Sequence, residues 1–296
     1  MTVAALEIGG SHVSAAVVQP SGVVGPVARG RIDGSADAAT LLAAITSVAN
    51  RTAGGGAAWG VAMPGPFDYA AGVGRFRGVG KFEDLDGVDI GAALRASLRP
   101  PPVTVRFVND AIAFALGEWT SGSGRGRDRL VALTLGTGIG SAFLEGGRPV
   151  TAGPSVPPEG RADLLTSQGG PLEETVSTRA ILAAYHGRAD RTVGTVAEIA
   201  RRAAAGDPAA THVLASAFRA LGVAIADYIR AFEAEALVIG GGISAAWSQV
   251  EPPLRAGLGI PGLPIERSAD TELSALRGAA LTARGAPFAV RDDARG

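Results

Sequence analysis

Four short segments carry residue types whose chemistry depends on a folded neighbourhood. The first is Glu7-Ile8-Gly9-Gly10-Ser11-His12. Two adjacent glycines between strand-like residues let the backbone come close to a ligand, and successive N–H groups there form an anion-binding nest. Ser11 adds a hydroxyl donor, and Glu7 is placed to hold a magnesium ion or its water shell. An ordinary hairpin turn looks the same. The second segment, Leu135-Gly136-Thr137-Gly138-Ile139-Gly140-Ser141, is denser in glycine and carries two hydroxyls. It lacks the Gly-Lys-Ser/Thr of a Walker A loop, and its alternating glycines do not follow GxGxxG. That leaves a phosphate nest or a tight bend.

The third segment, Val108-Asn109-Asp110, ends a strand just before a helix. A carboxylate at the C-terminal edge of a strand points into the crevice where α/β folds bind ligands. There Asp110 can take the proton of an attacking hydroxyl while Asn109 holds a neighbouring one. Helix capping explains the same pair. In the fourth, Val238-Ile239-Gly240-Gly241-Gly242-Ile243-Ser244, a strand runs into three glycines. A flat base or a ribose can lie against such backbone, and so can a plain strand-to-helix turn.

Other chemistries lack the parts. The histidines are His12, His186 and His212, too scattered for a zinc hydrolase motif. No GxSxG elbow is present. With no cysteine there is no disulfide, thiolate zinc site or cysteine nucleophile.

These segments need strands that end in turns, and the pattern supplies them. Strands are expected at Val3–Ile8, His12–Val18, Val23–Arg29, Ala57–Ala62 and Val103–Val108, with helices at Asp37–Thr52 and Ile90–Leu98 and a third starting after Asp110. The second half repeats the grammar, with strands at Arg129–Leu135, Ile139–Leu144 and Ala236–Ile239 and helices at Leu172–Tyr185, Pro208–Phe232 and Thr271–Arg284. In the long helix, Leu214, Phe218, Leu221, Ile225 and Ile229 fall on one face. Strands alternating with helices argue for α/β units. Residues 3–18 also lie over 130–145 without a gap, matching Gly9 with Gly136, Ser14 with Ser141 and Ala15 with Ala142. Either two Ala-rich hairpins agree by chance, or the chain is duplicated, with one glycine hairpin in each half facing a shared cleft.

A length of 296 residues suits two lobes, and 47% hydrophobic residues supply the core. A net charge of −1 gives no footprint for nucleic acid or an acidic membrane. No signal segment or apolar run of membrane-spanning length stands out, so a cytoplasmic location is expected.

In this order and spacing, the four segments resemble the ROK family of sugar kinases, within the actin-like ATPase superfamily. Met63-Pro64-Gly65-Pro66-Phe67-Asp68 is similar to that family's Pro-Gly-Pro loop near the sugar. The resemblance covers nearly the whole chain. It implies an α/β, two-lobed actin-like ATPase (ribonuclease H-like) fold with an internal duplication. A small lobe is expected over residues 1–112 and a large one over 113–270, with a C-terminal helix in 271–296 returning to the small lobe. It also implies ATP-dependent phosphorylation of a hydroxyl of a hexose or sugar-like polyol, with ATP and Mg²⁺ as cofactors. Asp110 is then the general base. Gly65, Asn109, Glu159 and Glu173 face the acceptor. Gly9, Gly10, Ser11, His12, Gly136, Thr137 and Gly138 face the phosphates, and Gly240, Gly241 and Gly242 the adenosine. A homodimer is expected by analogy.

The chain departs from the family pattern in several places. Glu7 stands where Asp is usual, and Ala162 where a His serves zinc or sugar; the cysteine cluster is absent, so no structural zinc is expected. Gly78-Val79-Gly80-Lys81-Phe82 occupies the region where many glucokinases carry Asn and Trp, which leaves the acceptor open to other hexoses, amino sugars or carbocyclic polyols. The family's repressors carry a DNA-binding segment before the first phosphate motif, and only six residues precede Glu7 here. A sugar sensor that has lost its chemistry is the other alternative.

Overall fold

The structure, a computed structural model, describes residues 1–52 and 56–285. They form two compact units. The first comprises Met1–Gly122 with the chain from Asp270, and the second begins at Ser123 and runs to Ala269.

The first unit opens with β1 (Val3–Ile8), β2 (His12–Val18) and β3 (Ala28–Arg31). Helix α1 (Ala38–Asn50) follows, its N-terminus capped by Asp37, which accepts from the Thr40 N–H at 2.8 Å. Leu41, Ile45 and Val48 form its buried stripe. Next come β4 (Ala58–Met63), the short hairpin β5 (Phe67–Asp68) and β6 (Val73–Gly74), and α2 (Ile90–Ser97). Strand β7 (Thr104–Asn109) then runs directly into α3 (Asp110–Ser121). The sheet order is β3-β2-β1-β4-β7, with β4 and β7 parallel to β1.

The second unit has the same plan. Strands β8 (Arg129–Leu135), β9 (Ile139–Glu145) and β10 (Arg148–Pro149) form the antiparallel part. A ribbon of β11 (Thr166–Ser167) and β12 (Gly170–Pro171) precedes α4 (Glu173–Val176), α5 (Thr178–His186), α6 (Val196–Ala204) and α7 (Pro208–Ala231). Strand β13 (Ala236–Gly240), α8 (Trp247–Leu258) and β14 (Ile265–Arg267) complete it. The order β10-β9-β8-β13-β14 repeats three antiparallel strands followed by two parallel ones, which is the duplication.

The gapless overlay fails in its second strand. Ile8 pairs with Val13, leaving Gly9–His12 in the turn, whereas Leu135 pairs with Ile139, leaving Gly136–Gly138. The second turn is one residue shorter, so Ser14 corresponds to Gly140 and Ala15 to Ser141. The match of Gly9 with Gly136 stands.

The last helix, α9 (Thr271–Ala283), packs on α3, β1 and β4 of the first unit. It comes so close to α3 that a Cβ on Gly278 would sit 1.8 Å from the Ala113 carbonyl oxygen, and one on Gly117 1.9 Å from that of Ser274. Only glycine fits either position. This packing moves the unit boundary to Gly122, ten residues beyond the expected residue 112, because α3 belongs with α9. Residues 286–296 of the expected final segment lie outside the described residues.

Other differences have local causes. The third strand starts at Ala28 instead of Val23, since Pro26 has no N–H to donate and Val24 makes only an isolated bridge to Val18. The helix expected over 172–185 is broken at Ser177, whose extended backbone (φ −64°, ψ 159°) lets its side chain cap α5. Helices α6 and α8 and strand β14 were not expected. Helix α7 is the one helix among the described residues long and apolar enough to span a membrane by length and composition. Its Leu214, Phe218, Leu221, Ile225 and Ile229 are all buried in the core of the second unit, each stabilising it by about 1.5–3 kcal/mol.

Candidate active site

In the first unit, strand register brings the acid, the first glycine turn and the Pro-Gly loop to one edge. Glu7, Ala62 and Val108 are neighbours across the parallel strands β1, β4 and β7. Gly9, Pro64 and Asp110 therefore all leave the sheet at its C-terminal edge, where α/β sheets hold ligands.

Asp110 is the first residue of α3 and half-buried. Its Oδ1 accepts from the Ala111 N–H at 2.9 Å. Burial pushes its carboxyl above the usual carboxylate range, and the Glu7 charge pushes the same way; the Ala111 N–H and the Lys81 charge pull it back. A carboxylate held so is suited to taking a proton. Asn109 caps the helix, its Oδ1 accepting from Ala111 N at 3.0 Å and Ile112 N at 3.2 Å. Its Nδ2 donates to the Tyr69 hydroxyl at 3.1 Å, and that hydroxyl donates to the Met63 carbonyl at 3.2 Å. Capping thus occupies the Asn109 oxygen, and its second amide N–H makes no hydrogen bond among the described residues. Gly65 lies beside the same tyrosine, its missing Cβ 3.3 Å from the Tyr69 oxygen.

The first turn keeps Ser11 and His12 exposed. The His12 ring folds back over Gly9, where a Cβ would lie 2.5 Å from Cε1, so a larger residue there would push the ring aside. His12 Nε2 stands 3.3 Å from Glu7 Oε1. The hydrogen bond to Glu7 raises the imidazole above its ordinary value, burial opposes it, and the charges of Glu7 and Glu272 add to the rise. Glu7 Oε2 is buried and has no hydrogen-bond partner among the described residues. An orphaned carboxylate oxygen beside a glycine turn fits a magnesium ion, which takes one or two carboxylates plus phosphates and water. No group of three or more His, Cys, Asp or Glu gathers as a metal cage among the described residues.

In the second unit, Gly136–Gly138 and the glycines after β13 share an edge, since Gly240 pairs with Thr134. Thr137 is exposed at the tip. The turn is fastened from α5, where both the N–H (2.8 Å) and the hydroxyl (2.9 Å) of Thr178 donate to the Gly136 carbonyl. Glu173 lies over Gly138, its carboxylate oxygens 3.1 and 3.2 Å from where a Cβ would be. The three glycines of the last motif do different things. Gly240 is buried in β13. Gly241 (φ +83°) has its missing Cβ 2.3 Å from the Leu135 carbonyl, a packing requirement. Gly242 is exposed and opens onto free space. Glu159 sits in the left-handed region (φ 57°) with its side chain 71% exposed, 3.3 Å from Arg161 Nη1.

The sequence model of the ROK family matches residues 3–283. The chain belongs to the ROK family. It is 33% identical over 218 residues to the glucokinase of Thermotoga maritima, covering 66% of this chain and 67% of that one. It is 28% identical over 240 residues to the kanosamine kinase of Amycolatopsis mediterranei, covering 76% of each. Among solved structures, the ROK hexokinase from Thermus thermophilus is 28% identical with a TM-score of 0.75, over 96% of this chain and 98% of that one. A ROK glucokinase from Streptomyces griseus in complex with glucose and AMPPNP is 23% identical with a TM-score of 0.76, over 97% and 100%. The fold is the α/β, two-lobed actin-like ATPase fold of this family, and by these relationships the chain is an ATP-dependent carbohydrate kinase.

Tyr69 and Thr178 escaped the sequence reading, and Ser141 was read only as a hydroxyl of the second glycine segment. Tyr69 has no local signal, lying forty residues from the Asn109 it holds. Ser141 holds the turn after Glu159, donating to the Gly160 carbonyl and accepting from the Ala162 N–H, both at 2.8 Å. Thr178 had a cue, since Ser177-Thr178 is an N-cap followed by the first helical residue.

Proposed function

We propose that this ROK kinase transfers the γ-phosphoryl group of ATP to a hydroxyl of a hexose or sugar-like polyol, with Asp110 as general base. The observation that carries the reading is the setting of Asp110: first in a helix, half-buried, raised by burial and still within reach of a cation's field. The acceptor hydroxyl gives its proton to the Asp110 carboxylate as its oxygen bonds to the γ-phosphorus. The bond to the β,γ-bridging oxygen breaks, and ADP leaves. Positioning and charge neutralisation supply most of the acceleration, and a general base about 10²–10⁴-fold.

The first unit supplies the base, Asn109 and Gly65 for the acceptor, and the turn Gly9–His12 for phosphates. The second supplies Gly136–Gly138 for phosphates, Gly240–Gly242 for adenosine, and Glu159 and Glu173 for the acceptor. Glu7 would hold a magnesium ion, which when bound neutralises phosphate charge.

An acceptor other than glucose is the second reading, and Ala162 favours it. A fully buried methyl stands where the family presents a histidine to zinc or sugar, so one polar contact is missing. The kanosamine kinase among the relatives fits an amino-sugar acceptor. The test is ADP release from Mg-ATP with glucose, kanosamine, other hexoses and cyclitols, with Asp110→Asn beside it. Acceptor-dependent release lost in the variant supports the kinase and identifies its acceptor. Silence across the panel, with sugar and ATP still bound, leaves a sensor.

A further inference from the structure

Lys81 is the chain's only lysine, and no hydrogen bond or ion pair joins it to another described residue. It is half-buried all the same. Its loop is firmly shaped: Gly78 (φ 73°), Gly80 (φ 78°) and Phe82 (φ 59°) all adopt left-handed backbone. For Phe82 this is a strained conformation, and it persists where the surroundings over-determine it. The Phe82 ring is fully buried, 5.5 Å from Phe76, and its N–H donates to the Gly34 carbonyl at 2.6 Å. The Gly80 N–H donates to Glu83 Oε1 at 2.8 Å. So fixed, the loop sends the Lys81 stem across the first phosphate turn. Lys81 Cβ passes 3.5 Å from where a Cβ on Gly34 would be, and Lys81 Cδ 3.9 Å from that of Gly10.

We propose that Lys81 is a catalytic residue whose ammonium contacts the phosphoryl group as it reaches the acceptor oxygen beside Asp110. This rests on the kinase reading of the site. A half-buried cation with no hydrogen bond or ion pair to another described residue, beside an anion nest and a general base, is placed for charge that develops only during transfer. The same charge acts on Asp110 and favours its ionised, proton-accepting form, against Glu7 and burial. The ammonium keeps its protons throughout; the acceptor proton goes to Asp110 and the bond electrons leave with ADP.

The test is steady-state ADP release from Mg-ATP with glucose and with kanosamine, comparing the unsubstituted enzyme with Lys81→Met, Lys81→Arg and Lys81→Ala. Lys81→Met keeps the stem that packs on Gly10 and removes the charge. Its kcat is expected to fall about 10²–10³-fold, with the acceptor KM changed less than about three-fold. Lys81→Arg should retain much of the rate, and ethylammonium should restore part of kcat to Lys81→Ala, which repair of a merely structural loss would not do. An unchanged kcat in Lys81→Met, a loss confined to KM, or a Lys81→Ala enzyme indifferent to ethylammonium overturns the role while leaving the kinase reading intact. An unsubstituted enzyme that releases no ADP with any acceptor removes both.

Discussion

The backbone nitrogen of Ala162 donates to the hydroxyl of Ser141 at 2.8 Å, and the same hydroxyl donates to the Gly160 carbonyl. One side chain on β9 thus staples both ends of the turn that follows Glu159.

Ser141→Ala should therefore loosen that turn. Loss of two partly buried hydrogen bonds costs about 1–2 kcal/mol of stability. If Glu159 binds the acceptor, the acceptor KM rises by up to roughly ten-fold with kcat little altered. Thermal unfolding and steady-state kinetics measure the two effects separately, and an unchanged KM detaches Glu159 from the acceptor.

Asp110→Asn should trade activity for stability. The folded pKa of Asp110 lies above its unfolded value, so its charge costs stability above the folded pKa, and the cost disappears as pH falls below the unfolded one. An amide at this position keeps the bond to Ala111 N–H without the charge. The Tm at neutral pH is expected to rise while kcat drops about 10²–10⁴-fold. A lower Tm at neutral pH contradicts the burial argument.

The same shift fixes the acid limb of the rate profile. If Asp110 is the base it works ionised, so kcat/KM declines with acidification through a pKa above the ordinary ~3.9 of an aspartate. A pH–rate series from about 3 to 8 reads it, and a limb at or below the ordinary value counts against Asp110 as the free-enzyme base.

Tyr69→Phe removes the hydroxyl between Met63 and Asn109. The change costs about 0.5–1.5 kcal/mol, and because Asn109 loses its anchor, the acceptor KM should rise while the ATP KM holds. Equal effects on both would assign Tyr69 to general packing.

Gly278→Ala probes the seat of α3. A methyl 1.8 Å from the Ala113 carbonyl cannot be accommodated without moving a helix. Overpacking costs about 1–3 kcal/mol or more, which lowers Tm by roughly 2–4 °C per kcal/mol in a protein of this size class. Calorimetry on the purified variant checks it, and a Tm within one degree of the parent's would mean that the helices separate freely.

What could be read from the sequence was what is local. Asn109-Asp110 announces a strand turning into a helix, and the glycine turns announce themselves between apolar runs, because strand, turn and cap chemistry act over a few residues. Helix α8 was hidden by Pro252 and Pro253 inside it, which argue against a helix on sight. Helix α6 was a missed opportunity, since Thr195 caps it and Val196, Ile199, Ala200 and Ala203 form a regular buried stripe. The loop of Lys81 was harder. Its course depends on Gly34 and Phe76, and no spacing rule brings those three together. The one-residue slip between the two hairpins was invisible because both turns begin with glycine.

The dependence of α3 on α9 also has a consequence for synthesis. The ribosome makes every glycine turn, Asn109 and Asp110 before Thr271, and the whole second unit emerges in between. Until α9 is delivered, α3 exposes the apolar face on which Gly117 and Ala113 should be covered. The older half of the chain therefore matures last, and a message read to Ala269 yields a polypeptide with all its candidate chemistry and no seat for α3.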